Sequence, residues 1–227
     1  MSTRLPPVTP VNFDSVDLDT VLSEWLGALQ EFPVEAVVVL GPDPFGGRED
    51  RQVLAVHPPA LGAAARGLAQ SREFGVTWRD SDASLVAWQS LSRPDAESGD
   101  WRALWRGQGF RSLVRVGLPL PGGRAFECFL FSRRELNDRA DAAALVWSTL
   151  NVWPTVKRSI GGQCSRLSPR ERECLALAFE GLTARESAER LQCSDRTVNY
   201  HLSNAMSKLK VDNKLGAIQR ACWLGAI

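Results

Sequence analysis

The chain has 227 residues, 44% of them hydrophobic and 23% charged, with a formal net charge of +1. That length accommodates two modest domains, and the composition excludes a disordered or fibrous chain. No apolar run approaches the ~18 residues of a membrane-spanning helix. The Pro-rich start after Met1 also lacks the apolar core of a signal peptide, so a cytoplasmic protein is expected.

The charge is unevenly placed. Residues 1–164 hold 17 basic and 19 acidic groups, while residues 165–227 hold 10 basic and 7 acidic. The C-terminal stretch therefore carries the positive field that a phosphate-binding module needs. Five scattered cysteines (Cys128, Cys164, Cys174, Cys193, Cys222) form no Cys-x-x-Cys pair. Reduced thiols are expected, with no disulfide and no zinc site.

In chain order, residues 1–13 read as a loose arm. Asp17 to Gln30 has helical spacing through Val21, Leu22, Trp25 and Leu29. Glu35 to Leu40 is a short continuous apolar run, the pattern of a buried strand. Gly41 to Gly47 is a turn-rich loop in which Asp43 is a turn residue, and a second strand covers Gln52 to Val56. Helices are expected at Ala60–Arg72, Ser81–Leu91 and Asp100–Trp105, with a loop from Ser92 to Gly99. Two strands, Ser112–Leu120 and Ala125–Ser132, flank the hairpin signal Pro121-Gly122-Gly123. A long helix runs from Asn137 towards Arg158, interrupted or kinked before Pro154. Gly161-Gly162-Gln163 is the best domain joint. The division expected is an arm at 1–13, a first domain at 14–160, a linker at 161–164 and a second, basic domain at 165–227. Antiparallel strands with flanking helices make the first of these domains an α-β-α sandwich, and the class of the whole α+β.

Residues 167–221 are the most informative. Ser168, Pro169 and Glu171 form a capping box with proline at the first helical position. Cys174, Leu175, Ala178 and Phe179 give that helix its inward face, and Gly181 stops it in a left-handed conformation. Thr183 and Glu186 repeat the box, with Ala188 and Leu191 inward. After a turn through Gln192-Cys193, Ser194 caps a third helix. On it Val198, Leu202, Ala205 and Leu209 fall on one side, and Arg196, Asn199, Tyr200, Ser203 and Ser207 roughly opposite. A recognition helix needs such a free polar face to reach base edges in the major groove. Asn199, Tyr200 and Ser203 are the candidate base contacts. Ser194, Arg196, Thr197, Lys208 and Lys210 are the candidate phosphate contacts, which position without specifying.

These residues resemble the LuxR-type helix-turn-helix: Leu167-Ser-Pro-Arg-Glu-Arg-Glu-Cys-Leu, Gly181-Leu-Thr-Ala-Arg-Glu-Ser-Ala, then Ser194-Asp-Arg-Thr-Val-Asn-Tyr-His-Leu with Lys208-Leu209. The resemblance implies an all-α four-helix unit whose last helix, near Lys214 to Gly225, makes dimer contacts on an inverted-repeat DNA operator.

For the N-terminal domain, a phosphorylated receiver is excluded by chemistry. No acidic pair ends a preceding strand to hold magnesium, and Lys157 is the only lysine before residue 164. The segment Trp101 to Arg111, and the pair Phe74 and Trp78, resemble the autoinducer-binding domain of quorum-sensing receptors. That resemblance implies a pocket with Phe74 and Trp78, and with Asp80 or Asp82 bonding the signal; among the tryptophans, Trp88 and Trp101 are further candidates to line an aromatic pocket. The tryptophans equally suit core or dimer-interface positions. Only two histidines, His57 and His201, are present, and neither completes a Ser-His-Asp or Cys-His arrangement. No enzyme, cofactor or metal is expected. The partners expected are double-stranded DNA, a small-molecule signal and a second copy, with a mixed dimer with another regulator as the alternative to ligand control.

Overall fold

The computed structural model describes residues 17–29, 34–43, 50–71, 85–91, 100–120, 124–136, 138–164 and 166–227, with Phe32, Phe45 and Gly46. Two compact units divide the chain, Met1–Val156 and Lys157–Ile227.

In the first unit, helix α1 (Leu18–Ala28) precedes strands β1 (Ala36–Pro42) and β2 (Arg51–His57). A 3₁₀ turn at Pro59–Leu61 leads into α2 (Gly62–Gln70); β3 (Val86–Ser90), α3 (Asp100–Gly107), β4 (Ser112–Leu120) and β5 (Arg124–Ser132) follow. The strands make one antiparallel sheet in the order β2-β1-β5-β4-β3. β1 lies between β2 and β5 and is buried along its whole length, so both of its faces are covered, which is why it reads as an unbroken apolar run.

Strand alternation sorts the side chains into two layers. Ala36, Val38, Leu40, Leu113, Phe129 and Phe131 pack on α2 and α3 through Leu68, Trp101 and Trp105. Trp105 stacks on Phe131 with ring centroids 3.5 Å apart. Its buried indole N–H finds no acceptor among the described residues. On the opposite face Phe126 meets Trp153 of α4 (Arg139–Cys164), and Trp25 of α1 donates to Ser148 of α4 at 2.9 Å. The layering is the expected α-β-α sandwich.

Three expectations are corrected. The helix read at Ser81–Leu91 is instead β3 from Val86 to Ser90, paired with β4; Ser81 to Ser84 lie outside the described residues. Val86 and Trp88 alternate with Ala87 and Gln89, a period of two that a helical reading overlooks. The linker expected at 161–164 is the last turn of α4, which extends through Cys164. Gly161 is buried there, and a Cβ on it would run into the Gly225 carbonyl. Nor is the long helix interrupted before Pro154, which lies inside it. That proline cannot donate to the Leu150 carbonyl.

Within the sheet, Glu127 is sandwiched between two guanidiniums. Arg51 Nη1 donates to its Oε2 and Arg115 Nε to its Oε1, each at 2.7 Å, with all three side chains under 10% exposed. Arg51 also donates to the carbonyls of Leu68 and Ser71 at the end of α2. Removing one partner of such a pair leaves desolvated charge behind, which is costlier than the pair is worth. Glu127→Leu should therefore destabilise the first unit by about 3–5 kcal/mol. Urea unfolding followed by tryptophan fluorescence reads it, since seven of the eight tryptophans precede residue 157. A loss below about 1 kcal/mol would contradict the assignment.

Candidate nucleic-acid interface

The second unit is built from α5 (Pro169–Phe179), α6 (Ala184–Leu191), α7 (Asp195–Lys208) and α8 (Lys214–Trp223), with the end of α4. Each boundary is written in local chemistry. At α5, Glu171 N–H donates to Ser168 Oγ at 3.2 Å and Ser168 N–H to Glu171 Oε2 at 2.7 Å. Thr183 and Glu186 repeat both bonds at α6. Thr197 N–H donates to Ser194 Oγ at 3.1 Å, and Gly216 N–H to Asn213 Oδ1 at 2.8 Å. These bonds satisfy amides that a helix start leaves free. Gly181 ends α5 at φ +90°, as expected. Gln192 and Lys210 do the same work at φ +53° and +52°, in a region that non-glycine residues seldom enter.

The helices close on a common core of Cys174, Leu175, Ala178, Ala188, Val198, Leu202, Ala205, Leu209, Ala217, Ile218 and Ala221. α7 packs against α5, α6 and α8 through the side carrying Val198, Leu202, Ala205 and Leu209. Its other side is uncovered within this unit: Arg196, Asn199, Tyr200, Ser203 and Ser207 are all exposed, Tyr200 by 63%. One inward assignment is corrected. Phe179 is 58% exposed, because it lies 100° around the helix from Ala178, beside the Gly181 stop.

The candidate phosphate groups divide. Arg196 is exposed and stands in no described ion pair. Ser194 Oγ and Thr197 Oγ1 lie 2.8 Å apart, bonded to each other. Lys208 Nζ donates to Glu171 Oε2 at 2.8 Å, and the Lys210 carbonyl accepts from Arg220 at 2.7 Å. Arg170, Arg185 and Arg190 pair on the surface with Glu173, Glu189 and Glu180, contacts of little energetic weight.

Of the candidate ligand residues only Trp88 and Trp101 are described, and they lie on opposite faces of the sheet. Phe74, Trp78, Asp80 and Asp82 lie outside the described residues. Trp101 is buried in the core with α2 and α3. Trp88 pairs with Val114, which puts it on the other face of the sheet, half-exposed at the edge. Its neighbour Gln89 faces Trp101's side and accepts from Arg102 at 2.9 Å. Asp43 is a turn residue, accepting the Phe45 amide, and His57 ends β2 with its Nδ1 2.8 Å from Asp19. Among the described residues there is no cluster of metal-ligating groups, and no helix long and apolar enough to cross a membrane.

Two capping boxes, a free polar face and this spacing coincide with a known family. Residues 165–221 match the family described as bacterial regulatory proteins, luxR family. They form a LuxR-family helix-turn-helix domain. The chain is 35% identical over 98 residues to the transcriptional activator protein AnoR of Acinetobacter nosocomialis, covering 41% of each. It is 46% identical over 61 residues to the transcriptional activator protein LuxR of Aliivibrio fischeri, covering 27% of this chain and 24% of that one. The matched stretches thus span less than half of those relatives. A crystal structure of Escherichia coli SdiA aligns over 94% of this chain and 93% of its own, at 21% identity and a TM-score of 0.48.

Acid should undo the LuxR-family domain through its caps. Burial acts to raise the Glu171 pKa, but hydrogen bonds from Lys208 and Ser168 outweigh it and hold the carboxyl below its ordinary 4.5. Thr183 hydrogen bonds lower Glu186 likewise. A depressed folded-state pKa gives stability that is complete above the unfolded value and lost as pH falls through the folded one. The melting temperature of the domain should therefore fall as pH drops below the ordinary carboxyl value of 4.5. In the Glu171→Gln variant that fall should be shallower by thermal circular dichroism. An equal slope in the variant would contradict the role of Glu171.

Proposed function

We propose that the chain is a sequence-specific transcription regulator that binds double-stranded DNA as a dimer through its LuxR-family domain. The observation that carries this reading is the uncovered polar side of α7. Asn199, Tyr200 and Ser203 point away from the core on the helix that the domain packs most tightly. In this reading they contact bases, Asn199 as a bidentate partner for adenine. Arg196, with Ser194, Thr197 and Lys210, lies at the phosphates.

The dimer is supported by α4. From Ala142 to Val156 it has no charged side chain, yet Trp147 and Leu150 are exposed there. A neutral apolar stripe of this kind suits packing against another polypeptide. Two recognition helices near one helical repeat, ~34 Å, would enter successive major grooves of an inverted repeat. Control by a small signal molecule, such as a quorum-sensing autoinducer in the first unit, would act by shifting the population with that spacing. The exposed Trp147 and Leu150 favour a second reading as well, in which a mixed dimer with another regulator replaces the signal.

The test begins by enriching a duplex from a random pool with the wild-type chain, then measuring affinity by fluorescence anisotropy. Asn199→Ala should lose about 1–3 kcal/mol on the enriched duplex and nothing on a scrambled one. Tyr200→Phe should show a smaller loss in the same direction. Equal losses on both duplexes would remove the base-reading role, and failure of the wild type to enrich any duplex would end the reading.

A further inference from the structure

Lys208 has the residue type and position of a phosphate contact, near the end of a helix with a DNA-facing side. Its ammonium is spent elsewhere. Glu171 is 3% exposed, and its Oε2 accepts from both the Ser168 amide and Lys208 Nζ. Were Lys208 to leave for a phosphate, that carboxylate would stay desolvated without its cation, the arrangement that proteins penalise most.

The same end of α7 is gripped from a second side. Arg220 of α8 donates through Nη1 to the Leu209 and Lys210 carbonyls, at 2.6 and 2.7 Å. These are carbonyls that the helix end leaves over, and Lys210, in the left-handed conformation, turns the chain out of the helix. The tail of α7 is thus tied to the start of α5 and to the body of α8. The apolar seam along α7 is narrow, with Ala205 at its middle, and apolar contact does not fix direction. Hydrogen bonds do.

From these contacts we infer that Lys208 and Arg220 are positioning residues that set the roll of the recognition helix about its own axis, and that Lys208 makes no phosphate contact. Lys208 lies nine residues beyond Asn199, ~13 Å along the helix, so a roll allowed at the clamp is carried to the reading residues. Sequence preference is what the clamp protects.

The inference rests on DNA binding by the LuxR-family domain, and its test separates the two. On the enriched duplex, Lys208→Gln and Arg220→Gln should each lose roughly ten-fold in affinity, the scale of one polar contact. On a scrambled duplex they should lose less than about two-fold, so specificity falls. The slope of log affinity against log salt should stay as in the wild type, whereas a lost phosphate contact flattens it by about 0.9. Glu171→Gln should resemble Lys208→Gln, and the double variant should lose no more than either single one. A flatter slope for Lys208→Gln, or a steeper slope and tighter scrambled-duplex binding for Glu171→Gln, would overturn the inference. Circular dichroism melts confirm that each variant is folded. Should Lys208→Gln fail to fold, the test passes to Glu171→Gln, with Lys208→Arg, which keeps the pair, expected to match the wild type. If the wild type enriches no duplex, it is the reading of the domain as DNA-binding that has failed.

Discussion

One carboxylate organises the C-terminal unit. Glu171 closes the N-terminal turn of α5 by accepting the Ser168 amide, and the same oxygen draws Lys208 across from the end of α7. A buried carboxylate must be paired, and here the pairing joins the first helix of the unit to the third. With Val198, Leu202, Ala205 and Leu209 turned inward on the other contacts, the opposite side of α7 has nowhere to face but outward. The free polar face is thus a consequence of how the helix is held.

The N-terminal unit solves a different problem with related physics. Its sheet is covered on both faces, so β1 carries uninterrupted apolar residues, yet the inner face of β5 bears Glu127. Two guanidiniums make that tolerable, and one of them also bonds the carbonyls at the end of α2. The triad links β2, β4, β5 and α2 through directional contacts in a layer otherwise held by contacts without direction. Among the described residues, each buried charge has a hydrogen-bonding partner.

The parts of the structure legible in the sequence are those fixed by local chemistry. Ser168 with Glu171, Thr183 with Glu186, and Gly181 each act within a few residues, so spacing alone identifies them. The continuous run at Ala36–Leu40 and the strand pair that flanks residues 121–123 are similar cases. Tertiary partners decided the rest. β3 is a strand because β4 lies beside it, and its period of two runs for only five residues. Phe179 follows an apolar run but sits where no helix packs. Lys208 looks like any basic residue on a DNA-facing helix until Glu171, 37 positions away, is seen to hold it. Lys210 and Gln192 enter the left-handed region without the glycine that would have signalled it. Of the residues expected at a pocket, Trp88 and Trp101 are divided for a similar reason: once Val86–Ser90 is a strand, alternation places them on opposite faces of the sheet.

Whether the outward side of α7 reads bases is most directly tested by nuclear magnetic resonance of the chain bound to a duplex that it has itself enriched. The account predicts intermolecular Overhauser contacts from the Asn199, Tyr200 and Ser203 side chains to base protons in the major groove, with Val198 and Leu202 showing none. Contacts confined to sugar protons, or arising from another helix while those three side chains stay silent, would contradict it.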